Sequence, residues 1–188
     1  MEAAEQLMRS SPVDEVTIAG ITQAADVGHG TFYLHFKSKY EVMVPIVQSL
    51  AADWDTQLQA ETASMDDPAE VIAYSARQMG RRIVGDPLWC WLLQHSGVPV
   101  DEIRQAVGSF SSRDFGRGLM TGRFQVPTLQ VGSVFMLGGY VNGLMAAIPS
   151  DDAGEIIDQV VEMMLRVMGV PPEEAADIAH RPLIDSET

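Results

Sequence analysis

Apolar side chains recur three and four positions apart along most of this 188-residue chain, and no segment alternates with period two for long. The spacing predicts helices throughout and an all-α fold. Ala3, Ala4, Leu7 and Met8 share one side of a first helix over residues 2–10. Thr17 is a good N-cap for a second helix through "IAGITQAA"; "DVG" breaks it, and "HGTFYLHF" makes a third, short helix. Ser38 and Glu41 have the spacing of a capping box at the start of a long fourth helix, in which Met43, Ile46, Val47, Leu50, Trp54 and Leu58 keep the helical period. Pro45 sits inside it. Proline offers no N–H to the carbonyl of Glu41 and crowds that turn, so a kink or local break is expected near residues 41–45.

Asp67-Pro68-Ala69-Glu70 supplies an N-cap, a proline at the first helical position and an early glutamate, launching a helix to about residue 84. Asp86-Pro87 starts another, which ends before "SGVPV". Residues 101–123 read as helix with weak points at Gly108, Gly116 and Gly118. Residues 127–148 are almost wholly apolar or small. Residues 152–168 set Ile156, Ile157, Val160, Val161, Met164, Val167 and Met168 on a wide face opposite Glu155, Asp158, Gln159 and Glu162. The tail adds one short helix, and there is no internal repeat or low-complexity linker.

Composition bounds the function. At 20.5 kDa, with 46% apolar residues and a mean hydropathy near zero, the chain has the makings of a folded soluble protein. No apolar run is expected to reach the roughly 18 residues that span a bilayer. The start "MEAAEQLMRSS" lacks a basic, apolar leader, so a cytoplasmic location is expected. A single cysteine, Cys90, cannot form an internal disulfide, and four scattered histidines do not suggest a metal site. No metal or cofactor is expected. A net charge of −14 and a pI near 4.4 argue against a nucleic-acid partner, but the distribution changes that conclusion. Residues 28–39 hold both lysines, Lys37 and Lys39, and no carboxylate. They carry +2 against −16 on the other 176 residues, so the remainder repels DNA everywhere except at one face.

Three short helices, the last two joined by a tight turn, are what a helix-turn-helix needs. Ile21, Ala25, Val27, Phe32 and Phe36 are spaced to bury against one another and fix the angle between its two helices. Gly28 and Gly30 keep the start of the third helix slim, leaving His29, Thr31, Tyr33, Leu34 and His35 for the outward face. The stretch "TIAGITQAADVGHGTFYLHFKSKYEVM" resembles the helix-turn-helix of the tetracycline-repressor (TetR) family of bacterial transcriptional regulators, above all at Gly30-Thr31, Tyr33, His35-Phe36 and Ser38-Lys39. The resemblance implies that Thr17, Tyr33, His35 and Lys39 hold phosphates and that Gly28, His29, Gly30 and Thr31 approach base edges. Three positions depart from the pattern: Asp26 stands for the turn glycine, Thr22 for a common alanine, and the first helix has only Arg9, as if a basic arm were missing.

The resemblance also divides the chain into a DNA-binding domain over residues 1–45 and a helical-bundle ligand-binding and dimerisation domain over 46–188, joined by the long fourth helix. "DPLWCWLLQHSG" concentrates Trp89, Trp91, Leu92 and His95, and Trp54, Met79, Phe110, Phe115, Met120, Phe135, Met136 and Tyr140 add aromatic or flexible side chains. Together they line a pocket for a small molecule or form ordinary core. Arg113 and Arg117, with Arg104 and Arg123 nearby, meet an anionic ligand or form a solvated face paired with acids. Gly132, Ser133, Gly139 and Gly143 thin one helix where another approaches closely. With Ile157, Val160, Val161, Met164 and Met168 they predict a four-helix bundle across a two-fold axis; packing within one chain is the alternative.

The expected function is therefore a sequence-specific DNA-binding regulator, acting as a homodimeric repressor on a palindromic operator and released by a small, largely apolar or aromatic effector. No membrane partner is expected. Two other readings stay open: a dimeric ligand-binding protein with weakened or lost DNA binding, prompted by Asp26 and the missing basic arm, and a helical enzyme using His95. No nucleophile, base and orienting group occur together to support the enzyme.

Overall fold

Four of the described helices begin where a polar side chain closes their first turn. The computed structural model describes residues 1–94 and 113–183, and its described residues are helical with no strand. In order they form α1 (Glu2–Ser10), α2 (Ile18–Ala24), α3 (His29–His35), α4 (Lys39–Glu61), α5 (Pro68–Gly85), α6 (Pro87–Gln94), α7 (residues 113–120), α8 (Leu129–Ala147), α9 (Ala153–Val167) and α10 (Pro172–Ala179). Thr17, Ser38, Asp67 and Thr128 accept hydrogen bonds from N–H groups one turn or less ahead. The capping box at α4 reaches one residue further than expected, because Glu41 accepts from the Lys37 N–H at 2.7 Å.

Pro45 does not break α4, which runs from Lys39 to Glu61 as one helix. Met43, Ile46 and Val47 around it are fully buried. Three such side chains contribute about 1.5–3 kcal/mol each, enough to offset the roughly 3 kcal/mol that an interior proline costs.

One apolar core runs from Ala4 and Met8 of α1, through Phe32, Met43 and Trp89, to Tyr140, Leu144 and Ile157. A second lies at the far end, where Phe115, Phe124 and Met136 meet Val161, Leu165, Met168 and Ile178. The buried line of α8 is narrow: Gly132, Met136, Tyr140, Leu144 and Ala147. By length and composition α8 could cross a membrane, contrary to the expectation that no apolar run is long enough. Glycine, serine and asparagine disguise it in the sequence.

The polar side of α9 also differs from expectation. Asp158 is buried, and its two carboxylate oxygens accept from Arg77 (2.8 and 3.2 Å) and Arg81 (2.8 and 2.9 Å) of α5. Arg77 also donates to the Arg181 carbonyl at 2.7 Å, tying down the chain after α10. Two arginines on a neighbouring helix turn a solvent-type residue into a core residue.

Candidate DNA-binding surface and effector cavity

The turn between α2 and α3 closes when the Val27 N–H donates to the Thr22 carbonyl at 2.9 Å, with Asp26 at φ 52°. Aspartate is among the few side chains that accept this left-handed conformation. Ile21 and Phe32 are buried between the helices and Phe36 is half-buried, but Ala25 and Val27 are exposed. Both belong to the turn itself, beyond the last helical residue of α2, so their side chains leave the contact.

His29, Thr31, Tyr33, Leu34 and His35 all face water, Tyr33 at 57% and Leu34 at 81% exposure. A Cβ on Gly28 would meet nothing nearer than Thr31 Oγ1 at 4.0 Å, and one on Gly30 nothing within 4 Å. Packing within the chain therefore requires neither glycine. Their bare backbone leaves a low outer surface at the start of α3, as approach to a groove needs. Thr17 is exposed, its Oγ1 accepting from the Gly20 N–H at 3.0 Å.

Lys39 departs from its expected role. Its ammonium donates to the carbonyls of Val13, Asp14 and Val16, each at 2.9 Å, so all three donors brace the loop between α1 and α2. Among the described residues the outward ammonium on this face is that of Lys37, which is exposed.

α6 meets the head, made of α1 to α3 and the first turn of α4, at two points. Asp86 accepts from the Leu88 and Trp89 N–H groups through Oδ1 and from Arg9 through Oδ2. Trp91 stacks on Tyr40 and donates to Asp14. Trp89 lies one layer deeper, almost fully buried and stacked on Trp54 with 5.2 Å between centroids.

Behind this junction, a cavity of about 80 Å³ opens between α4, α5, α7 and α8. Met79, Phe115, Met136 and Tyr140 line it. Trp54, Trp89 and Leu92 belong instead to the core beside it, Trp91 to the head junction, and Met120 (85% exposed) and Phe135 (65% exposed) to the outer surface. Aromatic content alone does not distinguish a cavity wall from a core or an outer face. His95, Arg104 and Phe110 lie outside the described residues. Sequence reasoning missed Leu58, Ile72, Leu137 and the polar group of Asp55, Gln59, Thr62, Ser75 and Ser133. The signal available was Asp55, Gln59 and Thr62, a polar line at helical spacing beside buried Leu58. Met164, expected at the subunit interface, also lines the cavity.

The Tyr140 hydroxyl donates to the Ala76 carbonyl at 2.6 Å, and burial pushes its pKa up, so it stays neutral. Arg113 and Arg117 approach Asp114 at 3.1 and 3.9 Å, while Arg123 pairs with Asp67 and Glu174. His180 meets Glu162 at 3.1 Å. Glu155, Asp158 and His180 come within 4.8 Å of one another, but the two guanidinium groups on Asp158 oppose a cation there.

Several residues expected at a subunit interface are used within the chain. A Cβ on Gly132 would come within 2.6 Å of the Phe115 ring, and one on Gly143 within 2.5 Å of Val160. Ile157, Val161 and Met168 are buried in the chain's own cores, and Val160 is half-buried against Gly143. Gly139 alone of the three glycines faces open space. The exposed large apolar side chains of these two helices are Leu129, Val131, Val134, Phe135 and Met145 on α8 and Met163 and Val167 on α9.

Residues 1–44 match the family model for bacterial regulatory proteins of the tetR family, and residues 67–181 match that for the tetracyclin repressor-like C-terminal domain. The fold is similar to that of RolR in complex with resorcinol, with a TM-score of 0.89 and 31% identity over 99% of this chain and 93% of that one. Ligand-free RolR gives 0.88 and 30%, covering 99% and 97%. FadR from Thermus thermophilus, in complex with lauroyl-CoA, shares the fold at a TM-score of 0.75 with 21% identity, covering 89% and 92%. No curated protein sequence matches the chain. With both family models matched in chain order and the relationship to RolR extending over nearly its whole length, the chain belongs to the TetR family of ligand-responsive, DNA-binding transcriptional regulators.

Proposed function

We propose that the chain is a homodimeric repressor, in which two copies of α3 read a palindromic operator and a small, largely apolar or aromatic effector releases them. Residues 1–45 act as the DNA-binding part and 46–188 as the effector-binding and dimerising part. The observation that supports this reading is that α4 touches both the contact with α6 and the cavity. Tyr40 in its first turn stacks on Trp91 at the head junction, and Asp55, Leu58 and Gln59 near its other end wall the cavity. An effector that binds one setting of α4 better than another shifts the spacing of the heads; one without such a preference shifts nothing.

The complexes of RolR with resorcinol and of FadR with lauroyl-CoA support a small-molecule effector for this chain. The exposed apolar side chains of α8 and α9 support a two-fold bundle, which sets two recognition helices about 34 Å apart on neighbouring turns of DNA. In that complex Gly28, His29, Gly30 and Thr31 approach base edges. Thr17, Tyr33, His35 and Lys37 hold phosphates, and Lys39 acts through the loop it braces.

Selecting bound fragments from random duplex DNA with the purified protein tests this. The expected product is a palindrome whose affinity falls steeply with salt and falls again on adding resorcinol. Fragments with no common sequence overturn it. A second reading, a dimeric ligand-binding protein with weakened DNA binding, is favoured by the internal use of Lys39 and the charge of −14. Effector binding without sequence preference at low salt would select that reading.

A further inference from the structure

The crest of α3 is a leucine set above a bare backbone. Phe32 is the buried residue of this helix. Leu34 and Gly30 lie two positions after and before it, and at about 100° per residue each falls within about 20° of the line opposite the core. Leu34 is 81% exposed, and a Cβ on Gly30 would meet nothing within 4 Å. A helical side chain leans toward the N-terminus, over the residue four positions earlier, so Leu34 leans over Gly30. The other outward side chains are those of His29, Thr31, Tyr33 and His35. None of the seven residues of α3 is an arginine, lysine, asparagine or glutamine, the side chains that hold a guanine or adenine edge with two hydrogen bonds.

Resting on the reading that α3 enters an operator, we infer that Leu34 is a specificity-determining residue, which packs on the 5-methyl group of one thymine in each half-site. An isobutyl group can bond neither a phosphate nor a polar base edge. Of the four bases, thymine alone presents a methyl group in the major groove. Contact between the two takes apolar surface on both sides out of water. Cytosine in the same place removes the methyl group and turns an amino donor toward a side chain that cannot accept, which adds a penalty to the lost contact. One base of each half-site is thus chosen by apolar contact at the crest, while the polar groups beside it make single hydrogen bonds.

The test uses the full chain and the palindrome it selects from random duplex DNA, with each symmetric pair of thymines replaced in turn by deoxyuridine, which lacks only the methyl group. Affinities are read by fluorescence anisotropy at one fixed salt concentration. One thymine pair should prove sensitive, its replacement weakening binding about tenfold because two buried methyl groups are lost. Leu34→Ala, at a position that the core does not use, should fold normally and distinguish thymine from uracil at that pair by less than about twofold. The absence of any sensitive pair overturns the inference. So does a Leu34→Ala variant that binds both operators more weakly but keeps the discrimination, the mark of a leucine lying on sugar and phosphate. A palindrome bound without methyl dependence leaves the repressor reading standing and removes Leu34 from it, whereas fragments with no common sequence remove both.

Discussion

Trp91 lies flat on Tyr40, with ring centroids 5.6 Å apart and planes 10° from parallel, while its indole N–H reaches the Asp14 carboxylate at 3.0 Å. One side chain of α6 thereby touches both the loop before α2 and the first turn of α4. Stacking of this kind contributes about 0.5–1.5 kcal/mol beyond the area it buries. Trp91→Leu should therefore lower stability by about 1–3 kcal/mol in urea unfolding. It should also shrink the ratio of operator affinities without and with effector, while effector affinity changes little. An unaltered ratio in a folded variant would remove Trp91 from the coupling route.

Lys39 and Lys37 should separate by their salt dependence. Each phosphate neutralised adds about 0.9 to the slope of log affinity against log salt. Lys37→Ala should reduce that slope by about this amount. Lys39→Ala should weaken operator binding by loosening the loop over residues 13–16, yet keep the slope. The measurement is fluorescence anisotropy on labelled operator between low and moderate salt.

Two substitutions on α8 should behave oppositely. Gly143→Ala puts a methyl group against Val160 of the same chain and should cost about 1–3 kcal/mol of folding stability without changing the dimer's dissociation constant. Phe135→Arg, on the outward face, should keep the helical content and the folding of each subunit but yield monomers by sedimentation, and with them a loss of operator binding.

Acid should weaken the body through Asp158 and Asp67. Burial alone would raise both carboxyl pKa values. Hydrogen bonds from Arg81 and Arg77 to Asp158, and from Arg123 and the Ala69 N–H to Asp67, outweigh it and hold both below the ordinary range. Because these folded values are depressed, the stability they contribute is present above the unfolded value of about 4 and is lost as pH falls through the folded one. Urea midpoints should be level near neutrality and drop below about pH 4. Asp158→Asn should flatten part of that drop and cost about 3 kcal/mol at pH 7, since two guanidinium groups lose their charged partner.

The helices were legible because their causes are local. Thr17, Ser38 and Asp67 cap where the sequence places them, and Asp26 adopts the turn conformation that few residues accept. The outward group on α3 was legible for the same reason: seven consecutive helical residues fix which side chains face water. What stayed hidden depends on partners distant in sequence. Nothing near Lys39 announces that three carbonyls 23 to 26 residues earlier will claim its ammonium. Nothing near Asp158 announces Arg77 and Arg81. Gly143 reads as a contact between subunits until Val160 of the same chain is seen to fill the space above it.

Asp86 gives one oxygen to the first turn of α6 and the other to Arg9, at the end of α1. Heads cannot then be exchanged freely between relatives. A transplant that brings a foreign α1 without its matching residues at 86 and 91 leaves an unanswered carboxylate at the seam, and the grafted reader sits at an angle the recipient never set.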